Sequence, residues 1–335
     1  MTSILDMLRF ALISPATEVK PYYIDGAVAE LRRRGYSVRE MPHSRGPRHG
    51  SFAASDAERL ADLRAALLDP EIDVILCNRG GYGCIHLLSQ ELQELAARQQ
   101  KWIVGFSDIS ALHTLWLKAG APSLHAAMAK QLALYDRAHQ SAELNALLAA
   151  DREAPDVEAQ LRECTDTMLR ILDAPGDAAT DLCYTLSPSD GVECLVEGTA
   201  EGVTVGGNLA VLNGLAATPW DILDAEYLRG KILFLEDVGE KIYQIERMLT
   251  RLHLSGALHA VSGLIFGKFT DYRPDRNFPS MEAMLRTRLT AWGVSCPTLL
   301  NVPIGHQSHN LPIPEGRPAR LTATAATATL TFPHP

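Results

Sequence analysis

The first third of the chain alternates short apolar runs with amphipathic helical segments, and this alternation restricts the fold more than any other feature. The runs at residues 8–14, 36–41, 72–77 and 103–106 are typical of buried strands. Strands that are separated by single helices form right-handed βαβ units and hence a parallel sheet. We therefore predict an α/β domain over residues 1–131, with ligands binding at the carboxyl ends of its strands.

Local signals place the helices between these strands. Pro21 is suited to open the first helix and Gly35 to end it. Ser55 and Glu58 have the spacing of a capping box at the start of the second. A third helix is predicted to follow a glycine-rich turn and to carry one apolar face, made of Ile85, Leu88, Leu92 and Leu95. A fourth is predicted over residues 108–119.

The rest of the chain divides into two segments of different character. Residues 132–191 are rich in Ala, Glu and Asp, and we predict a helical linker there. Residues 192–335 alternate strands and helices again and predict a second domain. Within it, residues 194–205 resemble a hairpin that turns at Glu201-Gly202, and residues 320–332 resemble one strand with an exposed face.

Composition excludes several classes of function. The 335 residues are 47% hydrophobic and 21% charged, as in a packed globular protein. The net charge of −9 argues against a nucleic-acid partner. The six cysteines form no Cys-x-x-Cys pair, and no apolar run approaches the length of a membrane span. The N-terminal residues lack the basic region of a signal peptide, so we expect a cytoplasmic protein with no membrane partner.

Ser107 stands where a predicted strand gives way to a predicted helix. Several hydrolases expose a nucleophilic serine at such a junction, and the N–H groups of the following helix can stabilise an oxyanion. The simpler alternative is that Ser107 only caps the helix. From the residues alone, both interpretations stay open.

A serine nucleophile needs a base and an orienting acid, and the second domain offers both. Glu236 follows the apolar run Leu233-Phe234-Leu235, and His306 lies in a loop bounded by glycine and proline. A solvated or ion-paired acid is the alternative for Glu236. His306 and His309 could instead begin a metal site, but no third ligand is suggested, so we expect no metal and no cofactor.

The turn at residues 79–83 has the sequence Arg-Gly-Gly-Tyr-Gly. A glycine-rich turn can cradle a phosphate, but this one lacks the lysine of a P-loop and the spacing of a dinucleotide fingerprint. The alternative is a tight turn with close helix–strand packing. The residues alone favour neither a nucleotide nor another ligand.

Taken in order, several short segments resemble the LD-carboxypeptidase family, which includes murein tetrapeptide carboxypeptidases and microcin C self-immunity proteases. The segments are Ile13-Ser14-Pro15-Ala16, residues 56–73, Arg79–Gly83, Gly105–His113, Gly206-Gly207-Asn208-Leu209, Phe234–Glu240 and Pro303-Ile304-Gly305-His306. They span most of the chain outside the predicted linker. The segment His125-Ala126-Ala127 departs from the family pattern, which puts the substrate in doubt more than the chemistry.

The resemblance implies a fold, an activity and a set of site residues. The fold would be a flavodoxin-like, class I amidotransferase-like domain with a smaller, β-rich, swivelling-type C-terminal domain. The catalytic residues would be Ser107, Glu236 and His306, and backbone N–H groups of Asp108 and Gly81 would form the oxyanion hole. Arg79 and Asn208 would bind substrate.

By the same resemblance, the enzyme would be a metal-independent serine carboxypeptidase, commonly a homodimer. It would remove the terminal D-alanine from murein tetrapeptides during cell-wall recycling. One alternative is a relaxed-specificity peptidase that cleaves aminoacyl-nucleotides of the microcin C kind. Another is a peptide-binding protein that has lost turnover.

Overall fold

The computed structural model describes residues 7–134, 140–149, 155–173 and 181–333. The chain separates into two compact units. The first comprises Met1–Ala174 with Ser308–Pro312, and the second comprises Pro175–Gln307 with Ile313–Pro335.

Strands and helices alternate through the first unit. Its elements are β1 (Arg9–Ile13), α1 (Pro21–Arg33), β2 (Ser37–Glu40), α2 (Asp56–Leu68), β3 (Val74–Cys77), α3 (Gln90–Gln99), β4 (Trp102–Gly105), α4 (Ser110–Ala119), β5 (Ser123–His125), α5 (Ala129–Leu134), α6 (Ala142–Leu148) and α7 (Pro155–Asp173). The four predicted strands are confirmed, and β5 is an additional one.

The five strands lie in the order β5-β4-β3-β1-β2, and every pairing among them is parallel. Read from the other edge, this is the 2-1-3-4-5 order of flavodoxin-like folds. Strand β3 is fully buried, as expected of a central strand covered on both faces. The predicted flavodoxin-like domain is confirmed, and β3 and β4 both end at the edge of the sheet where such folds bind ligands.

The helix signals of the first unit are confirmed except in one place. Pro21 begins α1, and the Ser55–Glu58 capping box is present at α2. The predicted helix after the glycine-rich turn is instead a short 3-10 helix, Cys84–Leu87, followed by α3. Ser89 separates them because its side chain accepts a hydrogen bond from the N–H of Leu92 and so caps a new helix.

The second unit contains β6 (Leu182–Leu186), β7 (Glu193–Val196), β8 (Gly198–Asn208), α8 (Leu209–Asn213), α9 (Ala225–Leu228), β9 (Ile232–Val238), α10 (Ile242–Leu254), α11 (Ala257–Ala260), β10 (Gly263–Thr270), α12 (Met281–Ala291), β11 (Thr298–Val302), β12 (Ile313–Glu315), β13 (Pro318–Ala323) and β14 (Ala328–Phe332). Eight of these strands form one sheet in the order β6-β14-β13-β8-β9-β10-β11-β7. Strands β8 to β11 are parallel, and the outer pairings are antiparallel. The predicted β-rich second part is confirmed.

The predicted hairpin over residues 194–205 is wrong. Strands β7 and β8 lie at different places in the sheet, and Gly202 falls inside β8. A β-carbon on Gly202 would lie 2.4 Å from the carbonyl oxygen of Gly230. This glycine therefore permits a close backbone approach and does not make a turn.

The single strand predicted over residues 320–332 is also wrong, because β13 and β14 form a hairpin. Thr324 closes the turn, since its Oγ1 donates to the carbonyl oxygen of Thr327 at 2.6 Å and accepts from the N–H of Thr327 at 3.1 Å. A threonine continues the Ala/Thr alternation, so the periodicity does not reveal this turn.

The two-unit division differs from the predicted boundaries at 131/132 and 191/192. Helices α5, α6 and α7 belong to the first unit and do not form a linker. Their apolar faces complete its core, where Leu132, Leu148 and Met168 are fully buried. Residues 135–139, 150–154 and 174–180 of the predicted linker lie outside the described residues. In the described part of the chain, no helix is long and apolar enough to cross a membrane.

Candidate active site

Ser107 lies in a sharp turn between β4 and α4. Its φ is +66°, a left-handed conformation that costs an L-residue roughly 1–2 kcal/mol. The preceding Gly105 allows the turn, because a β-carbon there would lie 2.9 Å from the side chain of Ile109. Ser107 is partly exposed at the carboxyl edge of the parallel sheet. This is the strained strand–Ser–helix geometry of a nucleophile elbow.

The glycine-rich turn packs directly against this serine. A β-carbon on Gly80 would lie 2.9 Å from Cβ and 3.1 Å from Oγ of Ser107, and 3.2 Å from the backbone nitrogen of Asp108. The next residue, Gly81, has φ +117°, and a β-carbon there would overlap the side chain of Thr17. Both glycines are therefore required by the space available. A side chain at residue 80 would collide with Ser107 itself.

Asp108 ties the elbow to the segment after the glycine-rich turn. Its carboxylate accepts a hydrogen bond from the N–H of Cys84 at 2.9 Å, and the residue is only 3% exposed. Burial raises the pKa of Asp108, although the bond from Cys84 opposes the shift. The side chain of Asp108 has a structural task, so any catalytic contribution comes from its backbone N–H.

His113 fixes the backbone just before the elbow. Its Nε2 donates to the carbonyl oxygen of Gly105 at 3.0 Å, and its Nδ1 accepts from the hydroxyl of Ser123 at 2.5 Å. The ring is fully buried, and burial lowers its pKa to about 4. His113 is therefore neutral near pH 7 and holds β4, α4 and β5 together.

Glu236 and His306 form a hydrogen-bonded pair in the second unit. Nδ1 of His306 donates to Oε2 of Glu236 at 2.7 Å. Glu236 is completely buried, whereas the His306 side chain is one-fifth exposed. Burial alone would lower the pKa of His306, but the hydrogen bond and charge of Glu236 outweigh it and raise the pKa. The pair leaves Nε2 of the imidazole as the nitrogen that can accept a proton.

Two glycines allow the backbone to pack closely against the Glu236 side chain. Gly305 has φ +111°, and a β-carbon there would lie 2.5 Å from Oε2 of Glu236. A β-carbon on Gly267 would lie 3.0 Å from Cβ of Glu236. Within the described part of the chain, Oε1 of Glu236 has no hydrogen-bond partner. The acid is therefore held by close packing and by one bond to His306.

Asn208 and Asp237 form a second polar group next to this pair. Asn208 is opposite Glu236 in the β8–β9 register, and its Nδ2 donates to Asp237 at 3.3 Å. Asp237 also accepts from the N–H of Ala210 at 2.8 Å. Burial and the neighbouring Glu236 charge raise the pKa of Asp237 to about 7. Asn208 itself caps α8 through its Oδ1 and is 4% exposed.

The predicted site residues fall into two groups. Ser107, Asp108, Gly81 and Arg79 belong to the first unit, and Glu236, His306 and Asn208 belong to the second. Arg79 is exposed, and one of its guanidinium nitrogens donates to the carbonyl oxygen of Glu18 at 3.0 Å. Glu236 lies inside β9, which continues beyond the apolar run to Val238. The bulge in the adjacent β9–β10 pairing lies beside it.

Sequence reasoning missed three residues that shape the site. Gly80, rather than Gly81, borders the serine; His113 supports the elbow; and Asp237 connects Asn208 to β9. The apolar surroundings of His113 were a usable signal, since a histidine inside an apolar helix is often buried. Nothing in the local sequence distinguishes the tasks of Gly80 and Gly81.

The two groups have the chemistry of acyl transfer. One supplies a strained serine beside a backbone N–H, and the other supplies an imidazole oriented by a buried carboxylate. Among the described residues, no group of three or more His, Cys, Asp or Glu side chains is arranged to hold a metal ion. That the enzyme needs no metal stays a prediction.

Comparison with known proteins identifies the family. The LD-carboxypeptidase N-terminal domain matches residues 10–126, and the LD-carboxypeptidase C-terminal domain matches residues 201–321. The chain belongs to the LD-carboxypeptidase family, a family of peptidases, as its motifs predicted. The murein tetrapeptide carboxypeptidase of Pseudomonas aeruginosa is 30% identical over 314 residues, which cover 93% of this chain and 92% of that protein.

Solved structures share the fold. The crystal structure of muramoyltetrapeptide carboxypeptidase from Oxalobacter formigenes matches with a TM-score of 0.74 at 27% identity, covering 96% of this chain and 99% of that one. The microcin C7 self-immunity protein MccF matches with a TM-score of 0.78 at 19% identity, covering 98% of this chain and 96% of that one. The second likeness shows the fold alone.

Proposed function

We propose that this enzyme is a serine LD-carboxypeptidase that removes the terminal D-alanine from murein tetrapeptides. The observation that carries the proposal is the 2.7 Å bond between His306 Nδ1 and a fully buried Glu236, because a carboxylate that orients an imidazole is the acid–base pair that a serine nucleophile needs. The strained, partly exposed Ser107 supports it. Relatives named for murein tetrapeptide and muramoyltetrapeptide carboxypeptidases supply the substrate class.

In the proposed mechanism, Ser107, His306 and Glu236 act as a triad. Nε2 of His306 takes the proton of Ser107 as Oγ attacks the peptide carbonyl carbon, and the electron pair moves to the carbonyl oxygen. Glu236 holds the Nδ1–H tautomer and stabilises the imidazolium. Collapse of the tetrahedral intermediate breaks the C–N bond, and His306 returns the proton to the departing D-alanine amine. Water then hydrolyses the acyl-enzyme by the same route.

Backbone N–H groups would stabilise the oxyanion. The backbone nitrogen of Asp108 and Oγ of Ser107 face the same side of Gly80, at 3.2 Å and 3.1 Å from a β-carbon placed on it, which supports the predicted donor at Asp108. We propose the second donor in the Gly80–Gly81 turn. One such donor is typically worth roughly 3 kcal/mol of the barrier.

A carboxypeptidase must also recognise a free carboxylate, and we propose Arg79 for this role. Its guanidinium is exposed and uses one nitrogen on the Glu18 carbonyl, so it keeps donors for a substrate. Asn208 is different, because both ends of its amide already bind Asp237 and Val211. We propose that Asn208 contributes mainly by shaping the end of β8.

A matched set of peptides tests the substrate. The set contains diaminopimelate–D-Ala or L-Lys–D-Ala, its L-Ala epimer, and its C-terminal amide, with release of alanine as the readout. The epimer should react 10–200-fold more slowly, as expected when a methyl group is misplaced in a pocket. The C-terminal amide should react more slowly still, because it has no carboxylate and so leaves the proposed Arg79 cation without its partner.

Equal rates on all three peptides would contradict the carboxypeptidase specificity and favour the aminoacyl-nucleotide alternative. No cleavage of any peptide, with binding retained, would favour the non-catalytic alternative. The setting is also proposed on the family resemblance: cell-wall recycling in the cytoplasm by a homodimer. Sedimentation of the pure protein and fractionation of producing cells test the last two points.

A further inference from the structure

Two histidines face each other across the turn between α10 and α11. His253 lies in the last turn of α10 and His259 lies on α11, with Gly256 at φ +78° between them. Nδ1 of His253 and Nε2 of His259 are 3.2 Å apart. Two imidazole nitrogens from separate helices therefore converge on one point of the surface.

An aromatic side chain fixes one member of this pair. The indole of Trp292, just after α12, stacks on the His253 ring with 4.9 Å between centroids and 8° between planes. The His259 ring is inclined at 64° to the His253 ring, and His259 is exposed. One imidazole is held by stacking, and the other is exposed to solvent on the same surface.

The spacing of the two nitrogens suits two ligands of one cation. Nitrogens that each lie about 2.0–2.1 Å from a tetrahedral zinc ion are about 3.3–3.4 Å from each other. The observed separation differs by about 0.2 Å. Two neutral imidazoles at this distance also share a proton in an N–H···N bond. A cation takes the place of that proton, and the donating ring moves its proton to its other nitrogen.

We propose that His253 and His259 form a binding site for a divalent transition-metal cation of the zinc, nickel or copper class, for which imidazole is a preferred ligand. The protein supplies two ligands and water supplies the others, since no larger cluster of metal-ligating side chains occurs among the described residues. The site uses none of the residues proposed for peptide cleavage. Removing the cation therefore leaves hydrolysis unchanged.

Titration calorimetry with zinc chloride and nickel chloride tests the site. The protein is the full chain without an affinity tag, in a Cys183→Ser background, because Cys183 is an exposed thiol that could bind these metals. The fluorescence of Trp292 gives a second readout, since nickel bound to a stacked histidine should quench it. Bound metal should also raise the melting temperature, because it binds only the folded pair.

We expect one equivalent of metal to bind, and each of His253→Asn and His259→Asn to weaken binding at least about tenfold, since even outer partners of a metal site contribute that much. His49→Asn, at another exposed histidine, should bind like the parent. Trp292→Phe should keep binding and lose the quenching. Circular dichroism checks that each variant is folded.

Absence of binding by the parent at millimolar zinc would overturn the site. The same conclusion follows if the exposed His259→Asn variant is folded and binds as tightly as the parent. The His253 ring packs on Trp292, so the His253→Asn variant could fail to fold. In that case His259→Asn still tests binding directly.

Discussion

A β-carbon placed on Gly80 would lie 3.1 Å from Oγ of Ser107 and 2.9 Å from its Cβ. The absence of a side chain at residue 80 thus allows the glycine-rich turn to pack closely against Ser107. The same position faces the backbone nitrogen of Asp108, the proposed oxyanion donor. The task of this glycine is therefore steric, because any side chain there would collide with the serine.

Gly80→Ala should keep the overall fold and lower kcat/KM by at least about 100-fold, because the added methyl group would press on Ser107 and on the backbone nitrogen of Asp108, the proposed nucleophile and oxyanion donor. Gly120→Ala is the matched control. Its φ is +65° and nothing lies within 4 Å of the added carbon, so it should cost about 1 kcal/mol of stability and no activity. Steady-state kinetics and urea unfolding measure both. Normal turnover by Gly80→Ala would place the reaction elsewhere.

Two substitutions of Ser107 should distinguish the stability cost of its left-handed backbone from its contribution to catalysis. Ser107→Ala should abolish turnover with little change in stability, since alanine meets the same left-handed backbone. Ser107→Gly should also be inactive but about 1 kcal/mol more stable, because glycine adopts φ +66° without the penalty. Denaturant unfolding compares the two variants. More than a few per cent of activity in either would rule out Ser107 as the nucleophile.

Glu236→Gln should lower kcat by orders of magnitude with KM little changed, because its carboxylate acts mainly in the transition state. It should also move the acid limb of the kcat/KM profile to lower pH. The Glu236 bond and charge raise the pKa of His306, so their loss lets the base stay neutral in more acidic solution. Glu240→Gln is the control on the turn after β9. A larger loss of kcat in Glu240→Gln than in Glu236→Gln would show that Glu236 is not the orienting acid.

His113 should make the protein acid-sensitive. Its pKa is about 4 when folded and about 6.5 when unfolded, so protons favour the unfolded chain. The stability that the buried neutral ring contributes is complete above pH 6.5 and is lost as pH falls toward 4. Between pH 7.5 and pH 5 this amounts to about 2 kcal/mol. His113→Asn should be less stable at pH 7.5 but should lack this part of the pH dependence in urea titrations.

Hydrolysis should survive EDTA and o-phenanthroline. The proposed chemistry uses Ser107, His306 and Glu236, and the proposed cation site at His253 and His259 contributes nothing to it. Chelator-treated enzyme, checked for residual zinc by atomic absorption, should retain full kcat. Loss of activity that zinc restores would show that the reaction requires metal and would contradict the serine mechanism.

Features encoded over a few residues could be predicted from the sequence. The Ser55–Glu58 capping box and the strand alternation depend on neighbours in the chain, and both are confirmed. Features that depend on distant contacts could not. Gly202 resembles a turn residue until the approach of Gly230 is known, and α5 to α7 resemble a linker until their apolar faces are seen in the first core.

The site residues also divide into those that local sequence predicts and those that depend on distant contacts. Ser107, Glu236 and His306 could be proposed from motif order, but the 2.7 Å His306–Glu236 bond requires β9 and the loop after β11 to come together in the fold. Gly80 and Gly81 are identical in sequence terms and differ only in what each faces. Asp237 directly follows Glu236 in the sequence, and only the fold shows that it holds Asn208 and the start of α8.

The acid–base pair is bonded wholly within the second unit, whereas the elbow belongs to the first. Under the proposed mechanism, turnover needs both units intact at the same time. The temperature at which the enzyme stops working is then set by the less heat-resistant unit and not by an average of the two. Thermostabilising substitutions would lengthen its working life only when they strengthen that weaker unit, however much they raise the melting temperature of the other.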